Sequence, residues 1–130
     1  MPSIIYPTVG DVRAIHDDEI DQSGGSHGLR DAELLESAVL RPRQYFAGVE
    51  LYPDLPTKAA ALFESLIGNH PSVDGNKRTA VAVVETFLDV NGADFGPSDE
   101  EFERFTLGVA RSDYRTEEIA AWFRAHTLAE

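Results

Sequence analysis

His70-Pro71-Ser72-Val73-Asp74-Gly75-Asn76-Lys77-Arg78-Thr79-Ala80 is the stretch on which the reading of the fold turns. It separates two runs with apolar residues at helical spacing: Leu62, Leu66 and Ile67 before it, and Val81, Val84, Phe87 and Leu88 after it. The spacing predicts a tight connection between two helices, the second opening near Asn76. A helix start offers main-chain N–H groups without intrahelical acceptors, plus the positive end of the macrodipole. Gly75 lets a ligand approach the main chain closely, and Lys77 and Arg78 add two positive charges. That combination is a cradle suited to phosphates. Asp74 supplies a hard oxygen ligand of the kind Mg²⁺ takes beside nucleotide phosphates. His70 is a side chain that accepts a proton near neutral pH. A base, a metal-binding carboxylate and a phosphate cradle within nine residues suit phosphoryl or nucleotidyl transfer from a nucleoside triphosphate to a hydroxyl. Two cations at a helix start oppose the macrodipole, which makes them poor choices for structure alone.

Outward from that connection the chain reads as further helices. Thr8 is placed to cap a first helix carrying Val9, Val12 and Ile15, which the glycine-rich stretch 21–28 stops. Asp31 caps a second helix, with Leu34, Leu35, Ala38 and Val39, ending near Pro42. The segment from Arg43 to Pro56 holds Tyr45, Phe46, Val49 and Tyr52 and closes on two prolines, so an irregular excursion or short hairpin is expected there. Thr57 is read as the cap of a third helix that runs to about His70. Asn91-Gly92 stops the fourth. Ser98-Asp99-Glu100-Glu101 fits a capping box for a fifth helix, and Thr116 is read as the cap of a sixth carrying Ile119, Trp122 and Phe123. Six helices, one possible hairpin and no strand–helix alternation predict an all-α single domain over residues 1–130.

Composition narrows the partners. The 130 residues include 11 Lys+Arg against 23 Asp+Glu, giving a net charge of −12. Such a chain is a poor general binder of nucleic acid, which demands a positive field. It has no cysteine, so neither a thiolate metal site nor a thiol nucleophile is open to it. No apolar run approaches the roughly 18 residues needed to cross a bilayer, and the start of the chain lacks the pattern of a secretory signal, so no membrane partner and a cytoplasmic location are expected.

The motif from His70 to Arg78 resembles the signature of the Fic/Doc superfamily, His-Pro-Phe-x-Asp/Glu-Gly-Asn-Gly/Lys-Arg. Gly28-Leu29-Arg30-Asp31 with Leu34-Leu35-Glu36-Ser37-Ala38, then Tyr52-Pro53-Asp54 and Lys58-Ala59-Ala60, resembles its Doc (death-on-curing) branch. The resemblance implies a compact helical bundle with a flap between its second and third helices. It implies His70 as the catalytic base, Asp74 as the Mg²⁺ ligand, Gly75 and Asn76 as the anion-binding loop, and Lys77 and Arg78 as the grip on the phosphates of ATP. Residues 43–53 would be the flap that clamps the main chain of a target. Ser72 stands where the family has Phe, a packing residue, so its presence implies a looser loop. Lys77 stands where adenylyl-transferring members have Gly, and Val81 where they have a second Arg.

That pairing is the Doc pattern. It implies transfer of a γ-phosphate to a hydroxyl of a translation protein similar to elongation factor Tu, as the toxin of a toxin–antitoxin pair. No Ser or Thr of the chain has Glu four residues later, so the self-inhibiting Ser/Thr-x-x-x-Glu helix of other members is absent. Control would pass to a Phd-like antitoxin, with nothing in cis holding Arg78. Adenylyl transfer on the same fold, and a non-catalytic module that binds antitoxin or nucleotide, stay open as alternatives.

Other features read as structure. His16, His27 and His126 are expected to be surface or partly buried histidines. Gly24, Gly25 and Gly28 do not match phosphate-loop spacing and are read as a turn. The runs 17–19 and 99–101 are read as solvated faces. Trp122 and Phe123 are expected in the core, whereas Tyr45, Phe46 and Tyr52 pack under the flap or form its target-facing edge.

Overall fold

The computed structural model describes residues 3–70, 72 and 75–129. Helix α3 (Leu55–Asn69) lies at the centre, packed against α2 (Ala32–Leu40), α4 (Asn76–Val90) and α6 (Thr116–Ala125). Its sequence explains the position. Ala59, Ala60, Ala61, Leu62 and Phe63 are all fully buried, so the helix is apolar around most of its circumference. Three consecutive alanines let neighbouring helices come close, while Phe63 fills one end of the core against Phe102, Phe105 and Phe123. Helix α1 (Val9–Ser23) lies on α4 and buries Val12, His16 and Ile20, one residue per turn. Helix α5 (Asp99–Ala110) contributes Phe102, Phe105 and Val109. One hydrophobic cluster joins residues of all six helices.

The all-α reading holds, with two small strand pairs beside the helices. Strands β1 (Tyr45–Phe46) and β2 (Val49–Glu50) form the hairpin expected between α2 and α3, turning through Ala47 and Gly48, both at positive φ. Strands β3 (Ala93–Phe95) and β4 (Thr127–Ala129) pair antiparallel and join the end of α4 to the end of α6. The sequence reading contained no such pair.

Thr8 caps α1 as expected and forms a full capping box with Asp11, Ser98 completes the capping box expected there, and Asp31 caps α2. Two caps differ. Helix α3 is capped by Asp54, and Thr57 sits three residues inside as the reciprocal member of the box. Proline is tolerated in a first turn because its missing N–H has no intrahelical acceptor to lose, so Pro56 does not delay the helix. Helix α6 starts after Arg115, whose main-chain N–H is held by Glu118, and Thr116 instead donates its hydroxyl to Glu64. No helix among the described residues is long and apolar enough to cross a membrane.

Candidate active site

The site is built where α3 ends and α4 begins. His70 terminates α3 in the left-handed conformation, φ 46° and ψ 56°, which is unfavourable for a residue with a Cβ. Arg30 compensates: Nε donates to the His70 carbonyl at 2.7 Å and Nη2 to the Asn69 carbonyl at 2.8 Å. Asn69 in turn donates to the Leu34 carbonyl. Two of the carbonyls left over at the end of α3 are thus occupied by one guanidinium, and the His70 imidazole stays exposed.

Across the connection, Asn76 is a two-point clamp. Its Oδ1 accepts from the Ser72 N–H at 3.0 Å, and its Nδ2 donates to the Ser72 carbonyl at 2.9 Å. Ser72 is buried and also bridges to Leu29. The position expected to loosen the loop for want of an aromatic ring is therefore held by hydrogen bonds. Asn76 serves the loop through its side chain, and only its main chain faces the cradle role assigned to it. Asp74, expected to hold Mg²⁺, lies outside the described residues.

Gly75 is the N-cap of α4, at φ 74° and ψ 18°, and has no side chain to offer the helix start. A Cβ there would come within 3.0 Å of Ile20 Cδ1, 3.5 Å of Arg78 Nη2 and 3.7 Å of His16 Nε2. The backbone angle favours glycine, and a Cβ would also press on the tip of the Ile20 side chain. The first three N–H groups of α4 therefore point out of a helix whose ladder begins with Thr79 donating to the Gly75 carbonyl.

Lys77 and Arg78 occupy this first turn, Lys77 exposed and Arg78 half-buried. Arg78 Nη2 donates to the Gly24 carbonyl at 3.1 Å, so the end of α1 does hold this guanidinium in cis, contrary to expectation. Both cations line a cavity of about 390 Å³ between α1, α4 and α5. Its floor is Val81, Ala82, Phe102 and Leu107, and its rim carries Glu19, Glu85, Asp99 and Glu103. Burial, with Asp99 and Glu19 close by, raises the Glu85 carboxyl above its ordinary pKa. His70 is not among the residues that line this cavity.

A profile of the Fic/DOC family matches residues 6–88, from the segment before α1 to the last turn of α4. The chain belongs to the Fic/DOC family. It is 47% identical to Toxin Doc of Mycolicibacterium smegmatis, across 75% of this chain and 77% of that protein. The part matched by the Fic/DOC profile contains the hairpin, the α3–α4 connection and both cations.

Several residues around this Fic/DOC motif escaped the sequence reading. His16, expected at the surface or partly buried, is instead buried on α1, in keeping with its place midway between Val12 and Ile20 at helical spacing. Arg30 was seen only within a family-like string, and no local pattern announces a bond across 40 residues. His27, in the glycine-rich loop, is exposed as expected but has partners. Its Nδ1 lies 3.1 Å from Asp17 and its Nε2 2.9 Å from Asp21. The hydrogen bond to Asp17, aided by Asp21, raises its pKa above the ordinary histidine value despite some desolvation. Tyr45 and Phe46 are on the outer edge of the flap, whereas Tyr52 is partly buried with its hydroxyl accepting from Arg41.

Proposed function

We propose that this Fic/DOC protein is the toxin of a toxin–antitoxin pair and transfers the γ-phosphate of ATP to a hydroxyl of a translation protein similar to elongation factor Tu. The observation that carries the reading is the start of α4: a glycine N-cap in the left-handed region, with Lys77 and Arg78 in the first turn. The likeness to Toxin Doc supports the toxin role. Lys77, in place of a glycine, supports phosphoryl over adenylyl transfer, because its ammonium takes up space and adds charge where the phosphates lie.

In this reading His70 accepts the proton of the attacking hydroxyl, and its exposure at the end of α3 leaves it open to a protein substrate. The N–H groups at the start of α4, with Lys77 and Arg78, bind and orient the phosphate chain. Arg78 gives up the Gly24 carbonyl when it takes a phosphate oxygen. Asn76 and Arg30 keep the two helix ends in register. Mg²⁺, assigned to Asp74, would neutralise charge on the phosphates. Asp74 would act together with the phosphates and water, as a single carboxylate does for Mg²⁺ beside a nucleotide. The exposed hairpin Tyr45–Glu50 would receive the target.

The cavity between α1, α4 and α5 supports an antitoxin acting in trans. Its apolar floor and acidic rim suit an amphipathic segment with basic residues, which would lie beside Arg78. Incubation with ATP, Mg²⁺ and an elongation factor Tu-like protein, followed by intact mass measurement of the latter, tests the transfer. An addition of about 80 Da supports phosphorylation, and about 329 Da would replace it with adenylylation, the masses being those of the transferred groups. His70→Ala should abolish either adduct and the growth arrest that accompanies expression. Growth arrest of equal depth from wild type and His70→Ala, with no adduct from either, would make the protein a non-catalytic binding module.

A further inference from the structure

The hairpin β1–β2 presents Tyr45, Phe46 and Val49 to solvent at 64%, 74% and 67% exposure. Contiguous exposed apolar side chains of this kind mark a surface for another protein. Two strands of two residues do not hold a pose by themselves. The hairpin is instead tied down at its base by charged side chains from the bundle. Lys58, in the first turn of α3, places Nζ 2.9 Å from Glu50 Oε1 in β2 and 3.5 Å from the carbonyl of Pro42, just before β1. Its side chain is almost wholly buried, with Nζ 5.6 Å from the centre of the Tyr6 ring. Arg41 holds the other flank, donating Nε to the Tyr52 hydroxyl and pairing with Glu64.

A buried ammonium is a poor way to gain stability, since an apolar side chain of similar volume packs as well without losing hydration. What the ammonium adds is direction: it ties the Glu50 carboxylate of β2 to the first turn of α3 and, through the Pro42 carbonyl, to the turn Arg41–Arg43 that leads into β1. We propose that Lys58 is a positioning residue that fixes the pose in which the hairpin offers Tyr45, Phe46 and Val49 to the protein substrate. This rests on the transferase reading for the substrate, but the pose itself is independent of turnover.

Lys58→Met removes the ammonium and keeps the length of the side chain, leaving Glu50 half exposed and open to water. Amide exchange at Leu51, whose N–H donates to the Gln44 carbonyl across the hairpin base, should then speed up about tenfold, while exchange within α3 and α4 stays unchanged. In transfer assays the KM for the protein substrate should rise about tenfold, with kcat and the KM for ATP within about twofold of wild type. Lys58→Arg should restore most of the KM. If Lys58→Met does not fold, Glu50→Gln, which removes the charge on the solvent side, gives the same two measurements. Unchanged hairpin exchange would overturn the proposal, as would a fall in kcat at constant KM. Wild-type protein that modifies no target would sink the functional reading, and the exchange experiment would still decide whether Lys58 sets the pose.

Discussion

Gly75 combines a backbone angle that L-residues avoid with a close neighbour, since an added Cβ would meet the tip of the Ile20 side chain at 3.0 Å. Gly75→Ala should therefore destabilise the protein by about 1–2 kcal/mol, read from a denaturant midpoint, and weaken nucleotide binding more than that loss explains. At His27 the sign of the pH effect follows from its carboxylate partners. Its folded pKa is raised, so the stability it adds is fully present below the unfolded value near 6.5, and is lost as pH rises through the folded pKa. A proton NMR titration should show this raised value, and Asp17→Asn with Asp21→Asn should return it to ordinary. An unshifted titration in the wild type would mean that the two contacts do not persist in solution.

Among the elements, the helices were legible because most carry both an apolar stripe and a cap in sequence. Thr57 and Thr116 carry hydroxyls of the kind that cap helices, but Asp54 begins α3 and the main chain of Arg115 begins α6. At α3 the cap is Asp54, whose carboxylate accepts from Thr57 and meets Arg124. Partial burial works against its charge, yet these hydrogen bonds leave its pKa below the ordinary value. Its contribution is accordingly present above the unfolded pKa and fades as pH falls through the folded one. Asp54→Ala should cost about 1 kcal/mol at pH 7 in chemical denaturation, and progressively less in acid. The strand pair β3–β4 was illegible for a different reason. Each strand has only three residues, and the partners lie more than thirty residues apart, so no local periodicity marks them. Of the site, residue types and spacing were readable, but the scaffold that aims them was not, since Arg30 and Gly24 act over distances of 40 and 54 residues.

For the whole molecule, the excess of acid has a local focus. Glu85 is pushed upward by burial and by Asp99 and Glu19, which means that ionising it works against the fold. Glu85→Gln should slightly raise stability at pH 7, an advantage that disappears as pH falls below the ordinary glutamate range. The same substitution should weaken a basic antitoxin segment if that segment lies in the α1/α4/α5 cavity, which calorimetric titration would reveal. Stability as a whole depends on the centre rather than on these charges. Phe63 is fully buried within a ring of aromatic side chains, and Phe63→Ala should cost about 3–5 kcal/mol.

If Arg78 binds phosphate as proposed, its contact with the Gly24 carbonyl would make occupancy of the site a matter of exchange between two acceptors. An incoming phosphate would then compete with the protein's own backbone, and its measured affinity would be net of the bond it displaces. Because that internal acceptor is main chain, no side-chain replacement at position 24 deletes it. The glycine-rich stretch after α1 thereby becomes a reporter: its amides should change their exchange when the anion arrives, before any chemistry takes place.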